Sequence, residues 1–190
     1  MKKKVASNIT AEAEHDRQVL QHLDAAVASI TPEAFSRYQM LRSLVRTGGN
    51  LDWQPGRTDD RLVIFTERVE MLRFLRQHLA QVLKFRPTQM AILYGQESDD
   101  QPLQDTVETF GREQEPVRLL IATDIASKGI NLHFLAHKLI HFGIPWSLMT
   151  FQQRHGRIDR DGQTKRPHIA SLWSASQHDT IRGDLRSLSC

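Results

Sequence analysis

Hydrophobic residues follow two rhythms along this chain, and the rhythm changes near residue 60. Before it, Leu20, Leu23, Val27 and Ile30 recur at helical spacing, as do Phe35, Tyr38, Leu41, Leu44 and Val45. Residues 10–47 therefore read as helix in two pieces. Thr31-Pro32-Glu33 marks the second start, with Thr31 as N-cap and Pro32 at the first helical position. Gly48-Gly49 ends that helix. Residues 48–60, GGNLDWQPGRTDD, are polar and turn-rich and read as a loop.

Beyond the loop, short apolar runs alternate with amphipathic stretches. Residues 62–65, 90–93, 117–122, 139–142 and 169–172 are strand candidates. Residues 67–83, 101–110 and 147–155 are helix candidates, the last with Ser147 as its cap. Strands alternating with helices imply βαβ units, and so an α/β fold with a parallel sheet covered on both faces. In such sheets ligands gather at the carboxyl ends of the strands. Thr66, Tyr94-Gly95, Thr123-Asp124 and Gly143 follow the first four strands and fall at that edge.

Bulk properties narrow the picture only modestly. The 190 residues suit one domain with a small appendage, and 39% hydrophobic with 25% charged residues is an ordinary globular composition. The net charge of +3 does not by itself require a nucleic-acid partner, but residues 151–190 hold seven Lys/Arg against four Asp/Glu. The one cysteine, Cys190, excludes an intrachain disulfide and suits a reducing, cytoplasmic setting. MKKKVASNIT is basic but lacks the apolar run of a signal peptide, and no segment approaches a membrane span.

Candidate chemistry concentrates in two blocks, LIATDIASKGIN (120–131) and QQRHGRIDRDGQ (152–163). The second sets Arg154, Arg157 and Arg160 three residues apart. Guanidinium groups stay charged and offer forked donors that match phosphate oxygens. A solvated basic helix face paired with Asp159 and Asp161 would give the same spacing. Asp124 could equally cap a helix, and Gly129 permits close backbone approach. Gln152, Gln153 and Gln163 flank the arginines. Trp146 could stack on a base, although core packing is the commoner fate of such a residue. His133, His137 and His141 recur every four residues. HFLAH lacks the glutamate of a zinc helix, and His141 falls in a predicted strand, so no metal site is expected. GxxxxGK[ST] and GxGxxG are absent, and no acidic pair follows a strand. The chain offers arginines for a phosphoryl transition state without a cradle for the nucleotide, which is half of an active site.

Residues 61–172 resemble the second RecA-like lobe of superfamily 2 helicases and translocases, in the SNF2/RapA-like branch. RLVIFTERVEMLRFL is similar to motif IV, LLIATDIASKGINL to motif V, and FQQRHGRIDRDGQ to motif VI. The resemblance implies a RecA-like sheet with an N-terminal helical extension, divided as a helical linker region at 1–60 and the lobe at 61–190. It implies that Arg157 and Arg160 are catalytic arginine fingers. It places Gly129, Asn131, Gln153 and Arg154 near the nucleotide, and Thr66, Gly95 and Thr123 at the nucleic-acid backbone. Asp124 would tie motif V to motif VI. ATP with Mg2+ would be held mainly by a first RecA-like lobe, in the same parent chain or a separate subunit. Double-stranded DNA is the implied partner, and no membrane. His155 departs from the family, where an apolar residue often stands between Arg and Gly. The P-loop lobe is missing, so the resemblance implies a fragment, split subunit or truncated frame that does not hydrolyse ATP alone. A non-catalytic nucleic-acid-binding or scaffold module with the same fold is the alternative.

Overall fold

A computed structural model of the chain describes residues 2–29, 31–46, 48–95, 101–124 and 130–173. Five strands form one sheet: β1 Arg61–Thr66, β2 Met90–Leu93, β3 Leu119–Thr123, β4 Ala136–His141 and β5 His168–Ser171. All pairings are parallel, in the order β2-β3-β1-β4-β5. The helices are α1 Lys2–Ala28, α2 Ser36–Val45, α3 Val69–Leu83, α4 Gln101–Gly111 and α5 Leu148–His155. This is the α/β class expected from the alternation.

β1 lies at the centre, and all six of its residues are buried. Successive side chains of a strand point to opposite faces, and the core divides accordingly. Leu62, Ile64, Leu119, Ile121 and Ile140 pack with Tyr38, Leu41 and Val45 of α2 and Leu72, Leu75 and Leu79 of α3. Val63, Phe65, Leu120, Ala122 and Leu139 pack with Phe110 of α4, Ile130, Leu132 and Ile158. Each fully buried large aliphatic side chain stabilises the fold by roughly 1.5–3 kcal/mol. A continuous apolar run such as LVIF is thus explained by burial on both faces.

Packing does not divide at residue 60. Leu51 and Trp53, in the predicted loop, are buried with α2 in the same cluster as Leu62 and Ile64. Trp53 Nε1 donates to the Asp60 carbonyl at 3.1 Å, and the Asp60 carboxylate accepts from Gln54 N (2.9 Å) and Lys138 Nζ (2.8 Å). A polar-looking segment is fixed to the sheet by its two apolar residues and one buried ion pair. By contrast, the described side chains of α1 from residue 13 to 26 are exposed, including Leu20 and Leu23.

The start of the second helix also differs from expectation. Thr31 Oγ1 accepts from Ala34 N at 3.3 Å, and Thr31 O accepts from Ala34 N and Phe35 N. Thr31-Pro32-Glu33 closes a turn, and α2 begins five residues after Thr31, at Ser36. Phe35 is extended (φ −84°, ψ 91°), and its ring meets Phe74 and Phe142 edge-on at 5.9 and 5.8 Å. Its packing into the core interrupts the helical signal. No helix among the described residues is long and apolar enough to cross a membrane.

Candidate functional site

The carboxyl ends of β1, β3 and β4 lie side by side, with Thr66 opposite Thr123 and Phe65 opposite His141. Thr66 and Thr123 are each 3% exposed, and Thr123 Oγ1 is buried without a hydrogen-bond partner. Gly95, following β2, is exposed. Gly129 lies outside the described residues.

α5 starts at this edge because Ser147 accepts from Thr150 N, capping the helix. Its last turn brings Arg154 inward, where the residue is 1% exposed. Arg154 Nε and Nη2 donate to the two oxygens of Asp124 at 2.6 and 2.7 Å. Its Nη1 donates to the Gly143 carbonyl at 3.0 Å and lies 3.2 Å from His141 Nδ1. The guanidinium also faces the Phe65 ring at 5.5 Å. Arg154, expected at the nucleotide, thus has its described donors engaged within the chain, and Asp124 and Arg154 physically join the two sequence blocks.

Gly156 ends the helix, so Arg157 and Arg160 are carried on the turns that follow rather than on one helical face. Arg157 Nη1 donates to Ile130 O at 3.1 Å, and Leu132 N donates back to Arg157 O at 3.0 Å. Arg157 Nε is buried without a partner. Burial, then the charge of Arg160, lowers the Arg157 pKa from the usual arginine value. Arg160 is exposed, and its Nη1 donates to Asn131 Oδ1. Neither arginine forms a salt bridge among the described residues, and neither Asp159 nor Asp161 pairs with them. Gln153 is exposed on α5. Gln163 is turned inward instead, its Nε2 donating to the carbonyls of His133, Ala136 and Ile158.

The three histidines do not converge: His133 precedes β4, and His137 and His141 lie near its two ends. His137 Nε2 is 3.7 Å from Asp60 Oδ1 at the amino end, while His141 joins Arg154 at the carboxyl end. Among the described residues no group of three His, Cys, Asp or Glu could hold a metal ion. Trp146, which pattern alone would send to the core, is 86% exposed just before α5. His155, which the sequence marked only as a departure from the family and gave no role, places its Nε2 3.0 Å from His141 Nε2. Its departure from the usual apolar residue was the available signal. A polar cleft of about 200 Å³ opens at the other end of the strands, beside Asp60, His137, Lys138 and Lys165. Asp60 pairs with Lys138 there, and Lys165 with Asp59.

Comparison with known proteins bears on this arrangement. The family model described as helicase conserved C-terminal domain matches residues 38–162. It begins inside α2, in keeping with the packing of that helix. An uncharacterized ATP-dependent helicase of Bacillus subtilis, YqhH, is 32% identical over 124 residues, which is 63% of this chain and 20% of YqhH. The RNA polymerase-associated protein RapA of Pectobacterium carotovorum is 40% identical over 60 residues, 32% of this chain and 6% of RapA. The C-terminal part of the Fun30 ATPase domain superposes with a TM-score of 0.59 at 22% identity, covering 72% of this chain and 40% of that one. The last is a likeness of fold. The chain spans a fifth or less of the length of the two curated relatives.

Proposed function

Because the chain belongs to the helicase conserved C-terminal domain family, in the SNF2/RapA-like branch of superfamily 2, we propose that it is the second lobe of an ATP-dependent DNA translocase or helicase. Its task is to present Arg157 and Arg160 to a triphosphate held mainly by a first RecA-like lobe. The observation that carries this reading is the contrast within one segment. Among the described residues Arg154 is paired, whereas Arg157 keeps a buried Nε without a partner and Arg160 keeps a charge without a carboxylate. Buried polar groups are normally satisfied, so this guanidinium nitrogen, which has no acceptor among the described residues, is a donor that a ligand could engage. Phosphate oxygens fit such a donor set.

ATP with Mg2+, when bound, supplies the phosphoryl group whose loss drives the cycle. The residues of this chain orient and stabilise. Arg157 and Arg160 place positive charge where negative charge develops, which is worth about three to five powers of ten in rate for arginine fingers. Asn131 holds Arg160, and with Gly129 and Gln153 it completes the nucleotide side. Arg154 acts as a coupling residue rather than a ligand, since with Asp124 it fastens the first block to the second. Thr66 and Thr123 stand at the strand tips, and with Gly95 they mark the edge that faces the nucleic-acid backbone.

Phosphate release in the presence of DNA tests the reading. The chain alone is expected to be silent, and the chain paired with a first lobe active. Arg157→Ala should abolish that activity. Turnover by the isolated chain, or an Arg157→Ala assembly hydrolysing as fast as the wild type, refutes the proposal, the latter in favour of a scaffold role.

A further inference from the structure

His141, Phe151 and His155 form a cluster that the proposed role of the arginines does not use. His141 ends β4 and is fully buried, and His155 ends α5. The His141 ring stacks on Phe151 with centroids 4.5 Å apart, and Phe151 in turn meets His155 at 4.3 Å. The two histidines touch through Nε2 and Nε2 at 3.0 Å. His141 Nδ1 lies 3.2 Å from Arg154 Nη1. A guanidinium has only hydrogens to offer, so His141 Nδ1 is the acceptor and its ring proton sits on Nε2. That proton points at His155 Nε2, which must be bare, leaving the His155 proton on Nδ1. Geometry alone thereby assigns both tautomers and requires both rings to be neutral.

The charges around the pair favour this state. Burial, then Arg154 and His155, push the His141 pKa down to about 3. Burial lowers that of His155, with Asp159 opposing and Arg154 assisting. Asp124 pairs with Arg154, and Arg37 of α2 reaches the neighbouring Phe142 ring at 6.0 Å.

His155 also anchors the arginine turn. Its backbone carbonyl accepts from Ile158 N at 3.0 Å and Asp159 N at 2.9 Å. The ring of this one residue grips β4 while its carbonyl holds the segment that carries Arg157. We propose that His141 and His155 are positioning residues, whose single-proton contact locks the end of α5 to the tip of β4 and so fixes where Arg157 and Arg160 emerge. A second proton sets two N–H groups head to head, opens the contact and loosens the arginine turn. The consequence for catalysis rests on the arginine-finger reading; the contact itself does not.

Nuclear magnetic resonance of the 190-residue chain with 15N-labelled histidine and arginine separates the two. At neutral pH the His141 ring should show the Nε2–H form and His155 the Nδ1–H form. As the pH is lowered below the usual histidine value of 6.5, the Nε–Hε signals of Arg157 and Arg160 should shift as His155 takes up a proton. In His155→Gln, which keeps a polar side chain but does not titrate, they should stay still. The opposite tautomers, unmoved arginine signals, or equal movement in His155→Gln overturn the proposal. Paired with a first lobe, His155→Ala should lower kcat about tenfold at nearly unchanged KM, with substantial rescue by His155→Gln. If the arginine signals follow His155 but Arg157→Ala leaves hydrolysis intact, positioning stands and the finger reading falls. If Arg157→Ala abolishes hydrolysis while the arginine signals ignore His155, positioning falls and the finger reading stands.

Discussion

Arg154 and Arg157 stand three residues apart in one repeat, yet one is spent and the other is spare. Arg154 sits in the last turn of α5 and meets a carboxylate, a carbonyl, an imidazole and an aromatic face. Arg157 sits past the helix end, gives one donor to a backbone carbonyl and buries another unpaired. The difference comes from the end of the helix, which falls between them at Gly156. Had the helix continued, the three arginines would have formed the basic face that spacing alone also allowed. Burying an unpaired polar group costs free energy, so Arg157 opposes stability where Arg154 supports it. Within this repeat, residues of the same type are divided between cohesion and, in the proposed role, ligand capture.

The comparison breaks first at Arg154. Arg154→Ala removes the partner of Asp124 and three further contacts. Losing one side of a buried ion pair costs about 3–5 kcal/mol. The Asp124 side chain is 29% exposed and can recover some hydration, so about 3 kcal/mol is expected. For a domain of this size that lowers Tm by roughly 10 °C. Arg154→Lys should recover little, because a point charge cannot replace the two-pronged contact. Arg157→Ala should move stability by less than about 1 kcal/mol. Urea or thermal unfolding of the three variants decides, and a larger loss at Arg157 than at Arg154 would invert the assignment.

The pH dependence sharpens the same contrast, because His141 leans on Arg154. Its folded pKa of about 3 lies below the ordinary histidine value of 6.5. The unfolded chain therefore binds the proton more readily, and stability falls as pH drops through 6.5 toward 3. Between pH 7 and pH 5 the loss from this residue is about 2 kcal/mol. His141→Asn should flatten that slope, as measured by Tm at the two pH values. An unchanged slope would show that burial and the neighbouring Arg154 do not hold His141 neutral.

Much of the fold was legible because the sheet is buried on both faces. The run 62–65 in β1 has no polar residue inside it, the run 117–122 that contains β3 has only Arg118, and β2 was read at its observed limits. Arg61 shows where legibility ends. It reads as a polar boundary before β1, yet it is the first residue of the strand and fully buried. Its guanidinium reaches the carbonyls of Thr109, Phe110, Arg112 and Glu115 at the end of α4. A cation suits a helix C-terminus, but no local pattern announces a partner nearly fifty residues away. The site divides the same way. Its arginines were legible because they sit together in sequence, whereas the His141–His155 contact joins a strand tip to a helix end and leaves no period to read.

The smallest expected effect lies at the other end of α5. Trp146 in a PW dipeptide after a buried strand invites a core assignment, and truncating a core tryptophan costs about 3–5 kcal/mol. At 86% exposure the residue buries too little surface for that. Trp146→Ala should change stability by less than about 0.5 kcal/mol, whereas Trp53→Ala, at 1% exposure, should pay the full core penalty. Fluorescence checks the same point without unfolding. Trp146→Ala should reduce the long-wavelength, acrylamide-quenchable part of the emission to that of Trp173, which is 45% exposed, and leave the buried Trp53 signal in place. A large stability loss at Trp146 would mean that α5 is anchored at its start. The grip of Arg154 and His155 on its last turn would then no longer be what fixes the helix on the sheet.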